Sequence, residues 1–442
     1  MTRRRHLCAV IAGILVLALG AAPGAVSTAS AAPPASSAAL KSKVKVDKKA
    51  TLILLPATYG KKKVATAKFG TGYKGRVVSL QYKDGSKWKQ AASATMDAKG
   101  RATFTVGFLK NGKTYRAVAD TYRIRNAKTG ATKSVKPVRT PTVEAGSQWK
   151  RVLRDGFSGT KLKKRWEHGQ VGQFYGSRLC SAVDPSRTRV ADGKLVASIR
   201  QLNSRKAADK KVIKRVTKAA KAQQEKRRKA AIKAAKKLTG KKRKEALAEA
   251  KAMKVDGCPH GVFYNARVDT KNTFHMTEGM VAARVKFPKA QGMHGSVWLQ
   301  TTRGYSERPI GTEIDLIESF GYGKGVTNII HVDDKRKGAL NQYGGYVIKE
   351  QTKDPKWWDR YHTYSVEWTR SEYVFRIDGV ETQRIRRKGV KGDQHFLAIS
   401  MLASDWETKY IKSPSGKLPG IKKADLSKAK MYVEWVEAWE RA

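Results

Sequence analysis

The sequence predicts an all-β protein in which a β-jelly-roll sandwich, carrying an inserted basic helical hairpin, follows a small immunoglobulin-like β-sandwich. Three observations predict it. Short apolar runs of strand length recur along the chain between Gly-bearing turns. One central tract changes to helical periodicity and is almost wholly basic. The chain has 442 residues, more than one domain ordinarily holds. With 40% hydrophobic residues it can bury a sizeable core, and its formal net charge of +55 directs it toward polyanions such as an anionic wall or an acidic polysaccharide.

The amino terminus sets the expected compartment. Arg3, Arg4 and Arg5 precede an apolar run from Leu7 to Leu19, and Ala29-Ser30-Ala31 offers small residues for cleavage, so residues 1–31 read as a signal peptide of a secreted, extracellular protein. The run is too short to span a bilayer comfortably, and no later stretch reaches the length a membrane helix needs, so no membrane partner is expected. Two cysteines then remain, Cys180 and Cys258. In an oxidising space a disulfide is the natural reading. Closing so long a loop stabilises by roughly 4 to 5 kcal/mol in the chain-entropy model.

Residues 41–143 alternate apolar and polar, as in Val77-Val78-Ser79-Leu80-Gln81-Tyr82 and Ala102-Thr103-Phe104-Thr105-Val106. Asp84-Gly85, Lys99-Gly100, Asn111-Gly112 and Thr129-Gly130 punctuate them at hairpin spacing. An immunoglobulin-like sandwich fits this pattern. Residues 144–149, after Pro137 and Pro141, read as a linker. From 150 to 442 a second all-β unit is expected, with strands over 190–200, 279–287, 295–300, 313–318, 363–368, 373–377, 396–402 and 431–439. Residues 205–254 break that pattern, with 21 Lys and Arg against 4 Asp and Glu. Val212, Ile213, Val216, Ala219 and Ala220, then Ile232, Ala235 and Leu238, follow a 3.6-residue period. A break at Thr239-Gly240 predicts two basic helices. Either they decorate the fold or they contact an anionic wall polymer. Without aromatic residues interleaved in the tract, nucleic acid is not an expected partner.

The sharpest chemical signal is Glu313-Ile314-Asp315-Leu316-Ile317-Glu318. In a regular strand side chains alternate faces, so Glu313 and Asp315 would point one way and Glu318 the other. A single β-bulge between Asp315 and Glu318 resets the phase, bringing all three acids onto one face and turning Ile317 inward. Crowded carboxylates split their pKa values. Retaining sugar hydrolysis needs such a split, with one carboxylate ionised to attack the anomeric carbon and the other protonated for the leaving oxygen, about 5 to 5.5 Å apart. On this reading Glu313 is the nucleophile and Glu318 the general acid/base, while Asp315 holds the nucleophile and keeps Glu318 protonated. An exposed acidic strand edge could carry the same residues, but three acids on an apolar-flanked strand of a strongly basic chain argue against it.

These residues and their neighbours resemble glycoside hydrolase family 16, of the laminarinase-like, bulged E-x-D-x-x-E type. The likeness extends through Leu153-Arg154-Asp155-Gly156-Phe157-Ser158-Gly159 with Trp166, Asp192-Gly193-Lys194-Leu195, Tyr264 to Thr270, Gly279 to Val285, Trp298-Leu299, His362 to Trp368 and Ile377-Asp378-Gly379-Val380. It implies a retaining, endo-acting hydrolase of a β-linked polysaccharide, with a β-1,3- or mixed-linkage glucan as substrate. It places His331 beside the acids and Trp298 and Trp406 in the cleft. Tyr322, four residues beyond Glu318, is a further sugar-stacking candidate. Trp357 and Trp358 are open between platform and clamp. No cofactor is expected; the family leaves room for a structural calcium, for which no ligand set can be read, and no zinc spacing is present at His260 or His294. The chain departs from the family pattern at His294-Gly295-Ser296-Val297-Trp298 and at Ser400 to Trp406, which line the substrate. A transglycosylase on the same scaffold and a non-catalytic wall-binding protein are the alternatives. A monomer is expected.

Overall fold

Period-two patterning builds two large sheets whose apolar faces meet. The computed structural model describes residues 44–71, 74–107, 109–125, 129–175, 180–303, 309–321, 325–334, 339–404 and 429–442. The predicted signal peptide (1–31), Tyr322 and Trp406 lie outside the described residues. Among those described, an eight-stranded sheet runs in the order Thr188–Ala191, Lys194–Ser198, Lys430–Arg441, Gly279–Lys286, His362–Thr369, Glu372–Ile377 and Val380–Ile385, with Trp149–Asp155 also paired to Lys430–Arg441. A nine-stranded sheet runs Phe174–Tyr175, Ser181–Val183, Phe263–Asp269, His395–Ala403, Met293–Thr301, Glu313–Ser319, Val326–Asp334 and Ala339–Val347, with Arg200–Gln201 joined to Phe263–Asp269. This is the predominantly β, jelly-roll architecture that the patterning predicts.

Alternation decides what lies between the sheets. Val281, Ala283 and Val285 of one sheet and Val297, Leu299, Ile314, Leu316, Leu397, Ile399 and Met401 of the other share one buried cluster. Each large aliphatic side chain withdrawn from water there stabilises by about 1.5 to 3 kcal/mol. The tight hairpins are set by residues that accept positive φ, Asp192 and Gly193 at 51° and 66° and Asp378 and Gly379 at 49° and 82°.

Among the described residues, 44–144 form three smaller sheets, of six, three and two strands, the first two meeting around Leu52, Leu54, Phe69, Val78, Leu80, Phe104 and Tyr115. Residues 144–149, expected as a linker, are fastened down. Ala145 is buried in that small core, the Gln148 amide exchanges hydrogen bonds with the Leu54 N–H and the Leu52 carbonyl, and Trp149 opens the next strand. The smaller unit covers the outer face of the eight-stranded sheet. Leu55, Ala57, Tyr59 and Val64 pack on Met280, Ala282 and Trp439, which alternate out of the main core. The Tyr59 hydroxyl meets Ser365 Oγ at 3.1 Å, and Arg101 pairs with Glu381 at 2.6 Å.

The basic tract folds as helices α1 (Ala207–Lys236) and α2 (Gly240–Ala252), parted by Gly240 at φ 57°. Val212, Ile213, Val216 and Ala220 of α1 bury against Leu202, Val262 and Cys180. Ala219 is exposed, and Leu238 falls in the turn after α1 and is also exposed. Cys180 and Cys258 are disulfide-bonded with Cα atoms 5.6 Å apart, so the roots of the insertion are tied. Arg200 donates two hydrogen bonds to Asp209, at 2.8 and 3.0 Å, which places an acid at the positive end of α1.

Candidate active site

The strand Glu313–Ser319 lies within the nine-stranded sheet, paired on both sides. Its entry is pinned by Asp393, whose carboxylate accepts from Thr301 Oγ1 at 2.6 Å and from the Thr312 N–H at 2.5 Å. Gly311 fits there because it lacks a side chain, since a Cβ would come 2.0 Å from Thr301 Oγ1.

Beyond this entry the pairing changes register. Asp315 stands opposite Ile329 but Glu318 opposite Thr327, and on the other side Ile314 faces Leu299 while Ile317 faces Val297. One extra residue therefore sits between Asp315 and Glu318. Its effect is visible in burial, since Ile314, Leu316 and Ile317 all lie in the core at 0% exposure, two of them adjacent in sequence. The other face carries Glu313, Asp315 and Glu318. The irregular backbone is satisfied from the next strand, where buried Asn328 donates to the Leu316 carbonyl at 2.8 Å and accepts from Thr382 Oγ1.

The same alternation brings His294, Ser296 and Trp298 from one neighbouring strand, and Thr327 and His331 from the other, onto the face of the acids. His331 Nε2 lies 3.1 Å from Asp315 Oδ2 and 4.0 Å from Glu313 Oε1. Trp298 is partly buried, donates to Ser400 Oγ at 3.3 Å, and is covered on one side by the Arg267 guanidinium at 4.9 Å. Trp357 and Trp358 are clamps, buried and packed on each other, with Trp358 Nε1 donating to the Thr352 carbonyl and Trp357 stacked on His362.

Residue-level reading missed two partners. Glu318 Oε1 lies 2.6 Å from His294 Nε2, and its Oε2 accepts from Thr327 Oγ1 at 2.8 Å. His294 shares the face of Trp298 because four residues is an even step along a strand, and that parity was the available signal.

Burial and charge act differently on the two glutamates. Burial, and then the charges of Asp315 and Glu318, push the Glu313 carboxyl up to about 8 against the pull of His331 and Arg267. Burial also pushes Glu318 upward, but His294, Thr327 and His331 outweigh it and hold that carboxyl below its ordinary value. Burial and neighbouring charge thus act upward on Glu313, while hydrogen bonding and the imidazoles act downward on Glu318. Asp315, expected to keep Glu318 protonated, raises its other neighbour Glu313, and the groups that lower Glu318 are His294, Thr327 and His331.

Among the described residues, Glu313, Asp315 and His331 are the set of three His, Cys, Asp or Glu donors close enough to share an ion, within 4.8 Å of one another. Calcium takes oxygen ligands. With one donor an imidazole already bonded to Asp315, this trio does not fit a structural calcium.

The sequence matches the model of glycosyl hydrolases family 16 over residues 211–437, just over half of the chain. The chain belongs to that family. The matched span of this family 16 chain contains the acid strand and its flanking strands. No curated protein matches the sequence. Among solved structures, the catalytic domain of an endo-1,3-β-glucanase (laminarinase) from Thermotoga petrophila is similar with a TM-score of 0.44 and 16% identity, covering 67% of this chain and 99% of that one. The endo-β-1,3-glucanase from Pyrococcus furiosus gives 0.42 and 16%, over 67% and 97%. A structure reported for endo-acting O-glycanases of the human gut microbiota gives 0.43 and 18%, over 68% and 93%.

The raised Glu313 value has a stability consequence. Its ordinary value is 4.5 and its folded value about 8, so the folded state binds the proton more tightly, and stability from this group is lost as pH rises through that window. Glu313→Gln, which cannot ionise, should match the wild type in denaturant unfolding near pH 4 and exceed it at pH 9, by on the order of a few kcal/mol. A difference that is the same at both pH values would show that Glu313 is not held protonated.

Proposed function

We propose that this protein is an exported, endo-acting, retaining glycoside hydrolase that cuts a β-linked glucan, of β-1,3- or mixed linkage, at the face carrying Glu313, Asp315 and Glu318. One observation supports this above the others. The register shift sends Leu316 and Ile317 into the core together and leaves three acids side by side on the opposite face. A strand that solvated its charges would not bury Asp315 at 3% and Glu318 at 9% exposure.

In the reaction proposed, a Glu313 oxygen forms a bond to the anomeric carbon as the bond to the leaving oxygen breaks, and that oxygen takes a proton from Glu318. Glu318 then removes a proton from water, whose oxygen bonds to the same carbon and releases Glu313. Attack needs Glu313 ionised, so any proton that burial favours there passes to solvent first. Asp315, held by His331 at 3.1 Å, is the neighbour assigned to position Glu313. The half-buried ring of Trp298 offers a flat surface for a sugar.

Purified protein should release reducing ends from laminarin or lichenan in preference to agarose and carrageenan, with the β configuration retained in the first product seen by NMR. Glu313→Gln should abolish release. Equal release by wild type and variant would contradict the reading.

The basic hairpin supports an added role in retention. α1 and α2 carry seventeen Lys and Arg against four acids, and Lys226, Arg227, Lys229 and Lys233 are exposed. We propose that this surface holds an anionic wall polymer by diffuse charge. Replacing those four by Gln should spare turnover of short oligosaccharides and weaken salt-sensitive retention on the polymer severalfold at low ionic strength. Retention unchanged between low and high salt would remove the role.

A further inference from the structure

We propose that His294 and Glu318 form one proton-carrying pair, in which the imidazole positions the carboxyl and supplies the proton that the leaving sugar oxygen takes up. This rests on the hydrolase reading above and extends it to a positioning residue outside the acid trio.

Geometry carries the pair. His294 Nε2 and Glu318 Oε1 are 2.6 Å apart, with the two residues only 5% and 9% exposed. Phe320 stacks on the imidazole with centroids 4.5 Å apart and planes at 28°, so the ring is held from its flat side. Thr327 donates to the second carboxylate oxygen at 2.8 Å. When the imidazole donates, both oxygens accept hydrogen bonds and suit a charged carboxylate, which cannot protonate a leaving group. The proton it must deliver needs a store within reach. Among the described residues, the hydrogen-bonded neighbour of Glu318 whose side chain can hold and give up a proton near neutral pH is His294. The groups facing Glu318 are His294 from Met293–Thr301, Thr327 and His331 from Val326–Asp334, and Glu313 and Asp315 from its own strand. His331 is already engaged with Asp315 at 3.1 Å.

The protons balance with one proton shared by the pair. In the resting enzyme it sits on the imidazole as imidazolium beside carboxylate, or on Glu318 beside neutral imidazole, and the short hydrogen bond interconverts the two. When the glycosidic bond breaks, its electron pair goes to the leaving oxygen, which takes the proton from Glu318 while Glu313 bonds to the anomeric carbon. The pair is then one proton short. Water restores it, giving a proton to the carboxylate as the water oxygen displaces Glu313.

The test is His294→Gln, whose amide keeps an N–H for Glu318 and cannot exchange a proton. Its kcat/KM on laminarin should fall about 10- to 100-fold, and much less on an aryl glucoside whose leaving group needs no proton. Because the charged imidazole no longer stores the proton, the alkaline limb of the pH profile should move to lower pH by about one unit or more. An unmoved limb, or equal loss on both substrates, would overturn the pair, since a merely structural role damages both alike. If His294→Gln should not fold, the imidazole nitrogen shifts of the intact wild type decide, with a His294 midpoint coincident with the alkaline limb expected and a ring neutral throughout the active range contradicting. Failure of the hydrolase reading looks different. Wild type would then be inactive, whereas failure of the pair alone leaves Glu318→Gln impaired on laminarin and His294→Gln like wild type.

Discussion

Leu316 and Ile317 are neighbours in sequence and both fully buried, and the rest of the site depends on that. A strand can turn two consecutive side chains inward only by taking an extra residue into its pairing. The hydrophobic gain of burying both, about 1.5 to 3 kcal/mol for each side chain, holds the irregularity in place, and Asn328 removes its polar cost by capping the Leu316 carbonyl. With the phase reset, Glu318 joins Glu313 and Asp315 on one side of the sheet. The core thereby fixes the chemistry on the opposite face.

Three carboxyls close together would repel one another if left alone. Each end of the group has its own histidine, His331 at Asp315 and His294 at Glu318, and the two come from strands on opposite sides of the acid strand. The asymmetry between them separates the carboxyls, because Glu318 has a short bond to imidazole and a second from Thr327 while Glu313 has burial and a neighbouring negative charge. The smaller N-terminal unit is fastened to the outer face of the other sheet through Tyr59, Val64 and their apolar partners, so it braces the sandwich on the side away from the acids. The disulfide does the same for the basic helices, fixing where they emerge.

Much of this was legible in the sequence because it follows from periodicity. The conflict between the strand repeat and the three-residue step from Asp315 to Glu318 points to an irregularity at one place, and the pairing shifts there. The basic helices were legible from spacing and from Thr239-Gly240, and the disulfide from cysteine count. Other features depend on which strands become neighbours, which a linear pattern does not contain. Val326–Asp334 escaped the strand reading, and with it the places of Thr327 and Asn328. His294 reads as a lone histidine until its strand is laid beside the acid strand, where it meets Glu318. Residues 144–149 read as a linker from composition, whereas the burial of Ala145 and Trp149 makes them a joint.

In the proposed reaction this irregular strand presents Glu313 to the anomeric carbon as a nucleophile. Incubating the wild type with a slow fluorinated β-glucosyl donor, digesting it and sequencing the modified peptide by mass spectrometry tests that directly. A glycosyl group on Glu313 is expected. A label on Glu318, or steady turnover of the donor with no labelled peptide, would contradict it.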